Sequence, residues 1–264
     1  MKELEFHFHT GVDFSAPVSG HTFALHCLPV EDDAQKLQSY AICIEPTAAY
    51  GLHRDGFGGW LVCGSCQEPH TAFRYDSHGI VQVDGHAQAE PVNPVLKQFT
   101  ELTAMTEKLE ALWQSLPLEG KSPQEQAELL NRAAANSLHY VPGVTGISTT
   151  AGQALTLGSG VCQDYAHILL ALARRSGFAA RYCMGLVPGE GATHAWVEIA
   201  LPDGWHGYDP TFACEAGEDH VRFAVGRDAA DCRAEQGVFR GMAEQTLHTE
   251  MRLDVRNGSL DQRQ

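Results

Sequence analysis

The run Gly158-Ser159-Gly160-Val161-Cys162-Gln163-Asp164-Tyr165-Ala166-His167 passes from a glycine-rich loop into an apolar helical pattern, with a cysteine at the junction. Tyr165, Ile168, Leu169, Leu172 and Ala173 mark a buried helix face, and Gly177 suits the C-terminal cap. A helix N-terminus carries partial positive charge and unpaired N–H groups. These favour a thiolate over a thiol and can face the oxyanion formed during acyl transfer. Cys162 is therefore a candidate nucleophile. The competing reading is a small buried hydrophobe, the usual fate of a free cysteine.

Beyond this helix the pattern turns to strands at 179–187, 194–201 and 205–209, with Asp203-Gly204 as a hairpin turn, and further strands are expected at 220–226 and 247–255. A cysteine nucleophile needs an imidazole and a group that orients it. His194 opens one strand and Asp209 closes the next. A two-residue Asp203-Gly204 turn would set His194 opposite position 213 and Asp209 opposite Glu198. The two would then lie roughly 13 Å apart along the ladder. Such a hairpin needs a bulge or a longer loop to bring them together.

Upstream, Tyr140 to Gly160 reads as a loop-rich stretch. Ser122 and Glu125 form a capping box ahead of a helix carrying Leu129, Leu130, Ala133 and Ala134. Asn93-Pro94 opens an earlier helix, along which Val95, Phe99, Leu102, Leu109, Leu112 and Leu116 recur. Residues 1–92 are β-rich. Leu4, Phe6 and Phe8 alternate with Glu5, His7 and His9, and apolar runs follow at 22–30, 40–44, 60–63 and 80–83. The shift near residue 92 divides the chain into a β-rich, sandwich-like module (1–92) and a catalytic unit with C-terminal strands (93–264). The class is α+β.

The 264 residues are 44% hydrophobic and 19% charged, a balance that supports a sizeable core and excludes wholesale disorder. Eighteen Lys and Arg against 33 Asp and Glu give a net charge of −15, which disfavours nucleic acid and anionic membrane surfaces as partners. No apolar run is long enough for a membrane helix, and the first residues show no apolar leader. The eight cysteines are accordingly expected as mostly free thiols in a reducing, cytoplasmic compartment. Segment 189–219 carries seven acidic residues, Glu190, Glu198, Asp203, Asp209, Glu215, Glu218 and Asp219, and only histidines as cations. That predicts a negative field favouring cationic substrates.

Several segments in order carry a family resemblance: Tyr140-Val141-Pro142-Gly143-Val144-Thr145, Ser148-Thr149-Thr150-Ala151, Gly160-Val161-Cys162-Gln163-Asp164-Tyr165-Ala166-His167, Ala179-Ala180-Arg181-Tyr182, Thr193-His194-Ala195-Trp196-Val197-Glu198 and Tyr208-Asp209-Pro210-Thr211. Val225-Gly226-Arg227-Asp228 and Ala230-Asp231 continue it, and Asp55-Gly56-Phe57-Gly58 resembles a turn of the N-terminal region. Together they resemble the transglutaminase-like superfamily, in its bacterial branch of candidate cysteine proteases. The resemblance implies a papain-like core with Cys162 as nucleophile, His194 as general base and acid, and Asp209 orienting the imidazole. It implies a thiol hydrolase acting on an amide or peptide bond through a thioester, with a peptide, protein or polyamide substrate and neither metal nor organic cofactor. A protein-glutamine acyltransferase that crosslinks or modifies glutamine side chains, and a non-catalytic interaction module of the same fold, are the alternatives. Phe212 stands where the family often has Asn, and the stretch after Asp231 lacks a frequent Pro.

Other candidates are weaker. Cys63-Gly64-Ser65-Cys66 is a CxxC without a second ligand pair, and it does not open a helix as a redox site would. His7 and His9 share a strand face but are too few for a metal site. Asp164 and His167 either organise the site or cap the helix start. Gln153 and Tyr165 either assist an oxyanion or line the pocket, and Trp196 and Trp205 wall the cleft or fill core beside it.

Overall fold

β1 (Lys2–Leu25) is the spine of the N-terminal half in this computed structural model, which describes residues 1–85 and 90–256. The alternation read at its start is real: Leu4, Phe6 and Phe8 are buried while His7 is exposed. The strand continues through residues 10–21, which carry no comparable run of apolar signal. It is held on both edges. β2 (Gln35–Glu45), β3 (Ala49–Arg54), β4 (Trp60–Cys66) and β5 (His70–Val83) follow it, and β5 pairs with β1 from Lys2↔Val83 to Asp13↔Ala72. The register then shifts before Val18↔His70, and the far end of β1 pairs instead with β4, from His21↔Cys66 to Leu25↔Val62. One eight-stranded sheet thus curls along β1 and encloses an aromatic core that includes Phe8, Phe23, Phe73 and Tyr75.

The helix expected from Asn93 onward is broken in two. Asn93 does cap a turn, but only a 3₁₀ turn at Pro94–Lys97, and α1 (Glu107–Gln114) starts afresh under Thr106. Threonine hydroxyls cause the break by competing for backbone groups. Thr103 Oγ1 accepts the Thr100 N–H at 3.0 Å and a bond from the buried Arg174 guanidinium at 2.8 Å. α2 (Pro123–Ala135) has the expected capping box at Ser122 and Glu125.

The stretch read as loop contains regular structure. β6 (His139–Tyr140) precedes α3 (Ala151–Leu157), whose capping box joins Thr150 and Gln153, and β7 (Ser159–Gly160) pairs parallel with β6. α4 (Cys162–Arg175) starts at the cysteine, as expected, and is buried at every residue from Asp164 to Arg174. A helix buried on all sides belongs in the middle of a domain. α4 packs against β8 (Ala180–Leu186) and β10 (His194–Leu201).

β9 (Gly189–Gly191) lies between those two strands in sequence, and β11 (Gly204–Asp209), β12 (Cys214–Ala216) and β13 (Val221–Gly226) follow. The second sheet has the order β12-β11-β10-β8-β13. β14 (Glu235–Arg240) and β15 (Gln245–Val255) then return to β1, and β15 also pairs with β9, from Met251↔Gly191 to Leu253↔Gly189. The loop leading into His194 is thereby tied to the N-terminal sheet. A second tie is buried: the Gln35 side chain bonds both the N–H and the carbonyl of Arg222 in β13, at 2.9 and 2.8 Å.

Candidate functional site

Cys162 is the first residue of α4, so its N–H has no acceptor within the helix. The helix start is fixed by Asp164. Its Oδ2 accepts the Val161 N–H at 2.8 Å and the Thr145 hydroxyl at 2.6 Å. A Cβ on Gly160 would come within 2.6 Å of the same oxygen, so a larger residue would push Asp164 out of place. Asp164 therefore organises the site by capping. His167 is fully buried, accepts the Ala229 N–H at 3.2 Å, and lies away from the cleft; burial lowers its pKa to about 4.

His194 and Asp209 meet, and they do so without a bulge. The turn between their strands is Pro202-Asp203 and not Asp203-Gly204, because Leu201 pairs with Gly204 and the ladder runs regularly to Val197↔Tyr208. This moves the register by two residues. Asp209 falls across from Trp196, one diagonal step from His194, a spacing that longer side chains bridge. His194 Nε2 reaches Asp209 Oδ2 at 2.7 Å. Cys162 lines the same cleft as His194, near enough to its imidazole to raise the ring's pKa. With Nε2 turned to the carboxylate, Nδ1 is the nitrogen left to exchange a proton with sulfur.

The electrostatics follow from burial and pairing. Burial opposes a charged imidazole, but the hydrogen bonds and charges of Asp209 and Cys162 outweigh it and raise His194 to about 9. Asp209 has no exposed surface. Burial disfavours its charge, yet bonds from His194 and a second imidazole, His220, hold it well below the usual carboxylate range. His220 Nε2 lies 3.2 Å from Oδ2, and the N–H groups of Thr211 and Phe212 donate to Oδ1 at 2.9 and 3.2 Å. Gly217 N–H donates to the other nitrogen of His220 at 3.4 Å, so Nε2 carries the proton that meets Asp209. No local signal in the sequence marks His220; only the placement of β13 beside β8 brings it here.

Phe212, the departure from the family pattern, is 60% exposed and stacks on His194 with ring centroids 5.0 Å apart. It walls the cleft with Tyr140, Cys162 and the 187–193 loop. Trp196 is core behind His194, and Trp205 is buried with the Arg181 guanidinium over its ring. Tyr165 donates to the Leu138 carbonyl at 2.9 Å and so is not free for an oxyanion; Gln153 Oε1 accepts the Thr150 N–H at 2.9 Å in its own capping box, and the residue does not line the cleft. A cation that segment 189–219 lacks arrives from β15: Arg252 lines the cleft and pairs with Glu190 at 3.5 Å.

His194, Asp209 and His220 are also the one group among the described residues whose ligand atoms cluster closely enough for a metal. The shared Oδ2 already accepts both N–H bonds, so a cation there would have to displace them. Cys63 and Cys66 sit three apart on β4 and project to opposite faces of the sheet. His9 is bonded to Asp76 at 2.6 Å, and His7 stacks on His78.

Residues 110–210 match the model of the transglutaminase-like superfamily. This part of the chain is a transglutaminase-like core. Residues 4–82 match the bacterial transglutaminase-like N-terminal region. An uncharacterized protein of Mycobacterium leprae is 26% identical over 257 residues, covering 88% of this chain and 91% of its own. An uncharacterized protein of Mycobacterium tuberculosis is 32% identical over 124 residues, 41% of this chain and 40% of its own. The solved structure of a candidate cysteine protease from Cytophaga hutchinsonii superposes with a TM-score of 0.80 at 19% identity. It covers 97% of this chain and 91% of that one, and it shows that the two proteins share a fold.

Proposed function

We propose that this transglutaminase-like protein is a thiol hydrolase that cleaves an amide or peptide bond through a Cys162 acyl-enzyme. The observation that carries the reading is the Asp209–His194 bond at 2.7 Å, whose imidazole lines one cleft with Cys162 at the start of a buried helix. The Cys162 sulfur attacks the carbonyl carbon, and the carbonyl oxygen becomes an oxyanion facing the free N–H groups at the start of α4. A His194 raised to about 9 is mostly imidazolium at neutral pH. That state stabilises an adjacent thiolate and supplies the proton the departing amine nitrogen needs. Asp209 holds the ring with Nδ1 toward sulfur. Water then adds to the thioester, His194 takes its proton, and the acid leaves. No step calls for a metal or organic cofactor.

The substrate on this reading is a peptide, protein or polyamide. Exposing the protein to a peptide and polyamide library and mapping its mass increase tests the reading. A thioester on Cys162, absent from Cys162→Ala, is the expected outcome. An acyl group on another residue, or turnover undiminished in Cys162→Ala, would refute it.

A further inference from the structure

β9 (Gly189–Gly191) is the last strand of the eight-stranded sheet. β15 pairs with one of its edges, from Met251↔Gly191 to Leu253↔Gly189, and no strand among the described residues pairs with the other. All three residues of β9 are exposed and line the Cys162 cleft. The chain runs from Gly191 through Ala192 and Thr193 directly to His194. A Cβ added to Gly189 or Gly191 would meet no atom within 4 Å, so the surroundings of both glycines are open. Along an antiparallel edge strand, alternate residues turn both N–H and C=O away from the partner. One or two of the three residues therefore offer an unpaired donor and acceptor at the wall of the cleft. The same cleft carries the exposed rings of Tyr140 and Phe212.

We infer that the free edge of β9 takes up the substrate main chain as an added strand, so that the bond presented to Cys162 belongs to an extended peptide backbone and not to a side-chain amide. The inference rests on the acyl-enzyme reading above. An open sheet edge holds an extended chain by main-chain hydrogen bonds, and the alternate side chains of that chain meet the surrounding walls. Here the walls include Tyr140 and Phe212, which suit apolar side chains. Gly191 and His194 are three residues apart, at most roughly 10 Å at strand rise, so about three substrate residues link the added strand to the reacting bond. Glu190 is paired with Arg252 at 3.5 Å, and its two neighbours have no side chain, so what this edge offers a ligand is its backbone. Three residues are too few to template sheet-to-sheet association, the usual hazard of an open edge. A glutamine side chain entering end-on would use none of these groups.

Alanine peptides with one central dehydroalanine test this. The Cys162 sulfur bonds to the methylene carbon, the C=C bond becomes single, and the α-carbon takes a proton. Each backbone amide is N-methylated in turn, and every labelling rate is divided by the iodoacetamide rate of the same protein. On one side of the electrophile, N-methylation at alternate residues should slow labelling roughly fivefold or more, the worth of a lost hydrogen bond, and the residues between should tolerate it. Glu190→Pro and Gly191→Pro each remove one N–H of β9. The variant that loses the outward N–H should keep its Tm, since proline is accepted where a strand N–H faces solvent, and should lose labelling by the peptide but not by iodoacetamide. A peptide with its electrophile at the end of a glutamine-length side chain should label more slowly than the main-chain probe. N-methylation without effect at every position, two proline variants that both label like wild type, or a faster side-chain probe would overturn the added strand and leave the reactive thiol standing. A Cys162 that resists iodoacetamide as well would overturn the acyl-enzyme reading itself.

Discussion

Two imidazoles share one carboxylate oxygen: His220 Nε2 reaches Asp209 Oδ2 at 3.2 Å, and His194 Nε2 reaches the same atom at 2.7 Å. Two backbone N–H groups hold the other oxygen. Asp209 is therefore fixed in position and charge before it acts on His194, which is what an orienting group requires.

Substitutions should grade with distance from the sulfur. Cys162→Ala and His194→Ala should abolish turnover. Asp209→Ala should lower kcat by about 10²–10⁴-fold, since it orients but does not react. His220→Ala should cost less than Asp209→Ala, because Oδ2 keeps the shorter His194 bond. Steady-state kinetics on any substrate found will rank them. A His220→Ala loss equal to that of His194→Ala would mean that His220 handles a proton itself.

Thiol reactivity should single out Cys162 among eight. Burial raises Cys63, Cys66 and Cys214, pushes Cys27 up to about 12, and raises Cys183 and Cys232 well above the free value. Exposed Cys43 is the remaining competitor, and it lies on β2 with no helix terminus or imidazole assigned to it. Brief iodoacetamide treatment at neutral pH followed by peptide mapping should find Cys162 labelled first. Faster labelling of Cys43 would remove the case for activation.

Much of this was readable in sequence because local rules and tertiary structure agree there. The Leu4–Phe8 alternation, the Ser122 capping box and the α4 start at Cys162 each depend on neighbours within one turn or one strand. Disagreements arose where a distant group decides. Arg174 reaches Thr103 and breaks the expected helix after Asn93. The Pro202-Asp203 turn won over Asp203-Gly204, and that choice sets whether His194 meets Asp209. α3 has a capping box at Thr150 and Gln153, yet its seven residues carry too short an apolar pattern to mark a helix in the sequence.

Stability should depend on His194 in a defined pH window. Its pKa is raised from 6.5 to about 9 on folding, so its contribution is fully present below about 6.5 and is lost as pH rises through about 9. Asp209, depressed on folding, acts oppositely: its contribution is present above the ordinary carboxylate range and is lost only in acid. Thermal melts from pH 6 to 10 should show wild type losing more Tm across 6.5–9 than His194→Gln. Parallel curves for the two proteins would show that the imidazole is not stabilised as charged.

Gly160→Ala should destabilise the fold and misplace the thiol together. Its Cβ would lie 2.6 Å from Asp164 Oδ2 and 2.7 Å from Asp164 Cβ, and Asp164 is buried with no room to retreat. Overpacking of this kind costs about 1–3 kcal/mol. Urea denaturation should show that loss, and the residual folded protein should label more slowly at Cys162. A neutral effect on stability would mean that Asp164 does not pin the helix start.

The fate of the acyl-enzyme should change with pH. Glu190 lines the cleft and attracts cations there, although Arg252, paired with it at 3.5 Å, offsets part of that field. An amine must be neutral to attack a thioester, and a negative field keeps it protonated below its ordinary value near 10.4. Water has no such requirement, and His194 can accept its proton once the leaving amine has taken the first. Hydrolysis should therefore dominate at pH 6–7, with transfer appearing as pH rises towards 9. An amide substrate with a large excess of a primary amine, followed by product analysis across that range, measures the partition directly. Dominant amine incorporation already at pH 6–7 would show that the site excludes water or deprotonates the amine itself, and would make the protein a transferase.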